Sequence, residues 1–289
     1  DTFNFMDGAS ITGSLIGGTH VIGDTVSYAG NTTPATVNLN NLNTIETVIG
    51  GSGSDTLIGL TAGSTFSITG LNSGTAGSIV FQDFENLTGS NSADTFSLTD
   101  TGVLTGQIDG GLGVDTLSFA AMTTPRIVTL TGSGTLDGFN GTEGSITGNF
   151  RNINTIVGSS SASDQLFGLD VVGNNIATWA INSTMTYSAN GRTLTFSAFE
   201  TMTGGTGNDE FIITGARTGN LHGGVGSGLD TYRFAAGATL KGEINGDAGN
   251  DTLSFEFYTS AVSVTLNENL GDGYGGIASP ILGGGNFHN

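Results

Sequence analysis

Asp24-Thr25-Val26-Ser27-Tyr28, Asp115-Thr116-Leu117-Ser118-Phe119 and Asp251-Thr252-Leu253-Ser254-Phe255 are three copies of one pattern: an acid, then a short strand of alternating polar and apolar residues. A second pattern follows each copy at fixed spacing. Val37 and Leu39 stand at offsets of 13 and 15 from the acid (37−24, 39−24), and Val128 with Leu130 and Val264 with Leu266 stand at the same offsets from theirs. Three ungapped matches mark an internal repeat, and that decides the architecture.

Further elements keep the same order. Phe81, Phe84 and Glu85 lead through Leu87-Thr88-Gly89 to Asp94; Phe196, Phe199 and Glu200 lead through Met202-Thr203-Gly204 to Asp209. Asn43-Thr44-Ile45 leading to Asp55 returns as Asn154-Thr155-Ile156 leading to Asp164, and Phe66 with Ile68 returns as Trp179 with Ile181. Three large repeat units follow, at about 1–93, 94–208 and 209–289, the last truncated. Within them the acids recur at a step of 21 (115−94, 230−209, 251−230), and of 23 from Asp1 to Asp24 (24−1). Other gaps, 39 (94−55), 49 (164−115) and 45 (209−164), approach two steps, whereas the gap of 31 from Asp24 to Asp55 (55−24) fits none.

A step of this size is one coil of a parallel β-solenoid, with two or three short strands per coil separated by Gly and Asn turns. The expected fold is therefore all-β: a parallel β-solenoid, β-helix or β-roll-like, continuous over 1–289, with coils of about 21 residues. Val26, Leu117 and Leu253 should form one inward row. Glycine suits the turns because it adopts positive φ without steric penalty. No stretch sustains a helical period.

Composition narrows the function. The chain has 289 residues, 50 of them Gly, 36% hydrophobic, with 17 Phe, which can fill a thin, evenly spread core. Asp and Glu number 25 against 6 Lys and Arg, a net charge of −19. No basic face exists to displace counterions from phosphates, so nucleic acid is excluded as a partner, and anionic membranes are disfavoured. There is no Cys, hence no disulfide or thiolate metal site. No apolar run approaches the roughly 18 residues of a membrane span, so no membrane insertion is expected. The chain opens at Asp1-Thr2-Phe3, inside a repeat, and reads as a segment of something longer.

Catalysis finds little support. His20, His222 and His288 are far apart in sequence, Arg126, Arg151, Arg192, Arg217 and Arg233 are dispersed, and no phosphate-loop lysine follows a glycine turn. Glu85 and Glu200 occupy equivalent repeat positions, which marks scaffold rather than a unique centre. The expectation is that the chain is not an enzyme.

The turns carry a motif. Gly50-Gly51-Ser52-Gly53-Ser54-Asp55-Thr56-Leu57 fits G-G-x-G-x-D-x-U, as do 110–117 around Asp115 and 204–211 around Asp209; 246–253, around Asp251, has Asp247 in place of the second glycine. The stretch from Gly89 to Asp94 has lost most of its glycine. These residues resemble the haemolysin-type calcium-binding (RTX-like) repeat, though in single rather than tandem copies. The order of the longer elements resembles giant bacterial surface proteins, including filamentous-haemagglutinin-like adhesins. The resemblance implies a β-roll whose turns bind Ca²⁺ through Asp carboxylates and Gly carbonyls, at Asp55, Asp94, Asp115, Asp209, Asp230 and Asp251.

Asp209, Asp230 and Asp251 should stand in one column about 4.8 Å apart, where carboxylates repel unless cations sit between them or each turns inward to accept backbone N–H groups. Asn208, Asn250 and Asp247 add oxygen ligands, which favours cations. The expected function is a structural or adhesive segment of a secreted fibre or giant cell-surface protein, extracellular and calcium-stabilised. Its expected partners are further repeats or copies of itself end to end, and a surface polysaccharide. The alternative is a module, catalytic or not, of a calcium-dependent carbohydrate-active enzyme.

Overall fold

The computed structural model describes residues 1–19, 23–173, 175–269, 273–283 and 285–288. His20 lies outside them. The fold is nearly all β, consistent with a parallel β-solenoid; among the described residues there is no α-helix, only one 3₁₀ turn at Leu39–Asn41. Among the described residues no helix is long and apolar enough to cross a membrane. Two compact units form, one of 1–124 with 134–160, the other of 125–133 with 161–289.

In each unit the chain passes alternately between two sheets. In the first unit Thr25–Ser27 belongs to one sheet, Thr36–Asn38 to the other, Thr47–Ile49 to the first again and Thr56–Ile58 to the second. Strands of successive coils pair in parallel and in register: Thr25 with Thr47, Val26 with Val48, and on the opposite sheet Val37 with Leu57. The second unit repeats this, with Phe211 beside Tyr232 and Tyr232 beside Leu253 on one sheet, and Leu166, Met202, Leu221, Ile244 and Phe287 in successive register on the other.

Alternation along each strand fills the space between the sheets. In Thr95–Thr99 the apolar Phe96 and Leu98 are fully buried, while the polar residues between them are half-exposed. Aromatic rings stack from coil to coil: Phe66 on Phe96 at 5.0 Å, Trp179 on Phe211 at 5.5 Å, Phe211 on Tyr232 at 5.0 Å. Each such pair contributes about 0.5–1.5 kcal/mol beyond the area it buries. Val26 and Leu117 lie fully buried in the inner row expected for them; in the second unit Leu253 holds the equivalent strand position but is half-buried. Val37, Leu39, Val128 and Leu130 are likewise inside. Their third counterparts, Val264 and Leu266, are exposed: Val264–Asn269 lies at the edge of its sheet, pairs antiparallel with Tyr274–Ala278 and is not part of a regular coil.

The irregular gaps have structural causes. Asp24 precedes a strand of one sheet and Asp55 a strand of the other, so the stretch between them runs from one sheet to the opposite one. Between Asp55 and Asp94 an antiparallel meander, Thr65–Gly70, Ser73–Ala76 and Ile79–Gln82, adds three rungs to a single sheet before the chain resumes its parallel course. Ile176–Ile181, Thr186–Ala189 and Arg192–Ser197 do the same in the second unit.

Candidate functional site

The acids sit at the entry to the strands, and their carboxylates turn inward. Asp24, Asp55, Asp94, Asp115, Asp164, Asp209 and Asp230 are at most 2% exposed. The carboxylates hold backbone of the neighbouring coil. Asp115 Oδ1 accepts the N–H of Asp94 at 2.8 Å, Asp230 Oδ1 that of Asp209 at 2.8 Å, and Asp251 Oδ1 that of Asp230 at 2.9 Å. On the opposite sheet of each unit, Asp55 Oδ1 accepts from Ala35 and Asp164 Oδ1 from Arg126.

The second oxygen closes the acid's own glycine turn. Oδ2 of Asp55 accepts the N–H of Gly51, that of Asp94 the N–H of Ser90, and that of Asp209 the N–H of Gly205. This explains the leading glycine of the motif. A Cβ at Gly50, Gly89, Gly110, Gly204 or Gly246 would lie 2.4–2.8 Å from the Oδ2 of the acid that ends the turn. That glycine is required by close approach, whereas Gly111, Gly113 and Gly249 also take positive φ.

The columns extend beyond the expected residues. Glu46, Glu85 and Glu200 accept the backbone N–H groups of Asp24, Asp55 and Asp164 through Oε2, and Asn154 Oδ1 accepts that of Asp115. Their signal was in the sequence: Glu46-Thr47-Val48, Glu85-Asn86-Leu87, Glu200-Thr201-Met202 and Asn154-Thr155-Ile156 share the acceptor–polar–apolar form of Asp55-Thr56-Leu57. Trp179, whose indole Nε1 donates to Asp209 Oδ1, had no such signal.

Burial shifts the proton affinity of these groups. Desolvation, helped by neighbouring carboxylates, pushes Asp115 and Asp230 up to about 7; Asp209 rises to about 6, held back by its bonds from Trp179 and Gly205. Asp251 is raised too, chiefly by desolvation.

The structure thus brings Asp209, Asp230 and Asp251 together in one column and links Asp94 to Asp115 in another, while Asp55 lies on the opposite sheet from that second pair. The neighbours do not join a common shell. Asn208 Oδ1 accepts from the N–H of Leu229, Asp247 accepts from Gly224 and Asn245, and Asn250 is exposed. Calcium needs about six to eight oxygens around one point. Two column oxygens, Asp115 Oδ2 and Asp251 Oδ2, are buried without a hydrogen-bond partner. Among the described residues, however, no three or more His, Asp or Glu side chains converge to hold a metal ion. As arranged, the column oxygens serve backbone amides, and what they do chemically is lock coil to coil. Comparison with family models, curated proteins and solved structures finds no match.

Proposed function

We propose that this chain is a structural, adhesive segment of a secreted or cell-surface protein and has no catalytic role. The observation that carries this reading is the use of the acids. The most repeated polar residues are committed to backbone N–H groups of neighbouring coils, and the same bond recurs from Asp94 to Asp251. Repetition serves the scaffold, and the scaffold leaves its outer faces free to present side chains. Further repeats or copies joined end to end fit this role. Calcium belongs to the proposal only as a stabilising cation near Asp115 Oδ2 and Asp251 Oδ2, which among the described residues are buried column oxygens without a hydrogen-bond donor.

The test is retention under flow of beads carrying the chain, on surfaces coated with polysaccharide or protein, with the same polymers assayed for shortened products. Retention without depolymerisation supports the reading. Release of new sugar ends would replace it with the carbohydrate-active enzyme. Failure to be retained on any surface would remove the adhesive role.

A further inference from the structure

In the second unit, the outer face of one sheet carries an open groove of about 900 Å³. Its floor is a ladder. Gln165, Thr201 and Asn220 stand in register on adjacent strands, and beside them run Phe167, Thr203, His222, Asn245 and His288, also in register. Leu166, Met202, Leu221, Ile244 and Phe287 alternate with these residues and point into the core, so the ladder faces outward. Along one side the turn holding Val225, 85% exposed, forms a wall. Asp247 braces that wall: its Oδ2 accepts the Gly224 N–H at 3.0 Å, and its Oδ1 accepts from the Asn245 amide.

The chemistry of this groove is specific. The backbone groups of the floor are consumed in the parallel ladder, so on the floor a ligand meets side chains. Those side chains are amides, hydroxyls and imidazoles, groups that both donate and accept, repeated at the ~4.8 Å strand spacing. Phe167, half-exposed, adds an aromatic face for an apolar ring surface. Among the described residues no Lys or Arg lines the groove, and Glu243 and Asp247 make it acidic. His222 Nε2 lies 3.3 Å from Glu243 Oε1. A polyanion would be repelled, and an apolar peptide would leave the amides unpaired.

We infer that this groove binds a neutral polysaccharide, laid across the strands so that successive sugar hydroxyls meet successive rungs while one sugar face covers Phe167. The inference rests on the adhesive reading and deepens it by naming what the face holds.

Affinity electrophoresis of the full chain tests it, in gels containing galactomannan, xyloglucan, mixed-linkage β-glucan or dextran, and in alginate and polygalacturonate gels, all with chelator to prevent cation bridging. The expected result is retardation by at least one neutral polymer and by neither polyuronate. Phe167→Ala and Gln165→Ala should each weaken that retardation about fivefold or more, while Leu229→Ala, outside the groove, leaves it unchanged. Circular dichroism confirms that each variant is folded. Absence of retardation in every neutral gel, equal retardation by polyuronates, or parental binding by both folded variants would overturn the assignment. Bead retention that persists in both variants would sink the groove and leave the adhesive reading standing; loss of all retention in the parent would sink the adhesive reading itself.

Discussion

Trp179 Nε1 donates to Asp209 Oδ1 at 2.9 Å, and both side chains are sealed from solvent. In the first unit the corresponding acid, Asp94, receives the backbone N–H of Ser64, and a plain Phe66 stacks on Phe96. In the second, Trp179 does both jobs, stacking on Phe211 and supplying the donor. Trp179→Phe should therefore preserve the stack and orphan the carboxylate oxygen, destabilising the fold by about 1–3 kcal/mol. A melting temperature within a degree of the parent's would show that Asp209 finds another donor.

The raised carboxyls set a pH dependence. Asp115 and Asp230 titrate near 7 and Asp209 near 6 in the folded chain, against an ordinary 3.8. Between the two values the folded state binds protons that the unfolded chain has released. The stability these groups contribute is therefore complete below the ordinary value and is lost as pH rises through 6 to 7. Thermal melts should give a higher midpoint at pH 5 than at pH 8, and a flat or inverted profile would contradict the desolvation of these carboxyls.

Asp230→Asn separates the acceptor from the charge. Asn154 already plays the acceptor's part for Asp115, so an amide is competent there. The variant should match or exceed the parent's stability at pH 8 and lose part of the pH dependence, provided its amide oxygen faces the Asp209 N–H. Asp230→Ala, which removes the acceptor as well, should be destabilised by about 1–3 kcal/mol. Equal losses in both would mean that the charge itself is needed.

Gly204→Ala tests the close approach. Its Cβ would stand 2.5 Å from Asp209 Oδ2 and 2.3 Å from the Gly223 carbonyl oxygen, and overpacking of this kind costs about 1–3 kcal/mol. Gly132 has nothing within 4 Å of an added Cβ, so Gly132→Ala should be near neutral. Chemical denaturation of the pair reads the difference directly.

Calcium is tested by the same melts. If it stabilises the fold by binding only the folded state, millimolar Ca²⁺ should raise the midpoint over chelator at pH 8 and do so less at pH 5, where the raised carboxyls hold protons. An identical midpoint in calcium and chelator at pH 8 leaves hydrogen bonding to backbone as the whole role of the columns.

Much of this was legible from the acids alone. The constant step from Asp209 to Asp230 to Asp251 is the coil, because one turn of a solenoid returns an equivalent residue to the same edge. Val26 and Leu117 could be placed inside because strand alternation fixes the face. The step from Asp24 to Asp55 could not be read, since the same acid–Thr pattern opens strands of both sheets and carries no mark of which. The meanders were invisible for a related reason: antiparallel and parallel rungs need the same alternation, and only pairing distinguishes them. The direction in which Asp230 points depends on desolvation and on an N–H one coil away, which no local pattern contains.

One consequence is mechanical. Each coil's acid grips an amide of the coil before it, as Asp251 grips Asp230 and Asp230 grips Asp209. Tension applied from the carboxyl-terminal side therefore meets these clasps one after another rather than all together. A chain pulled this way should yield in steps, each regular coil releasing about 70 Å of thread at ~3.3–3.6 Å per residue. Under such a load the regular coils should give way singly, each taking up extension before the next clasp is strained.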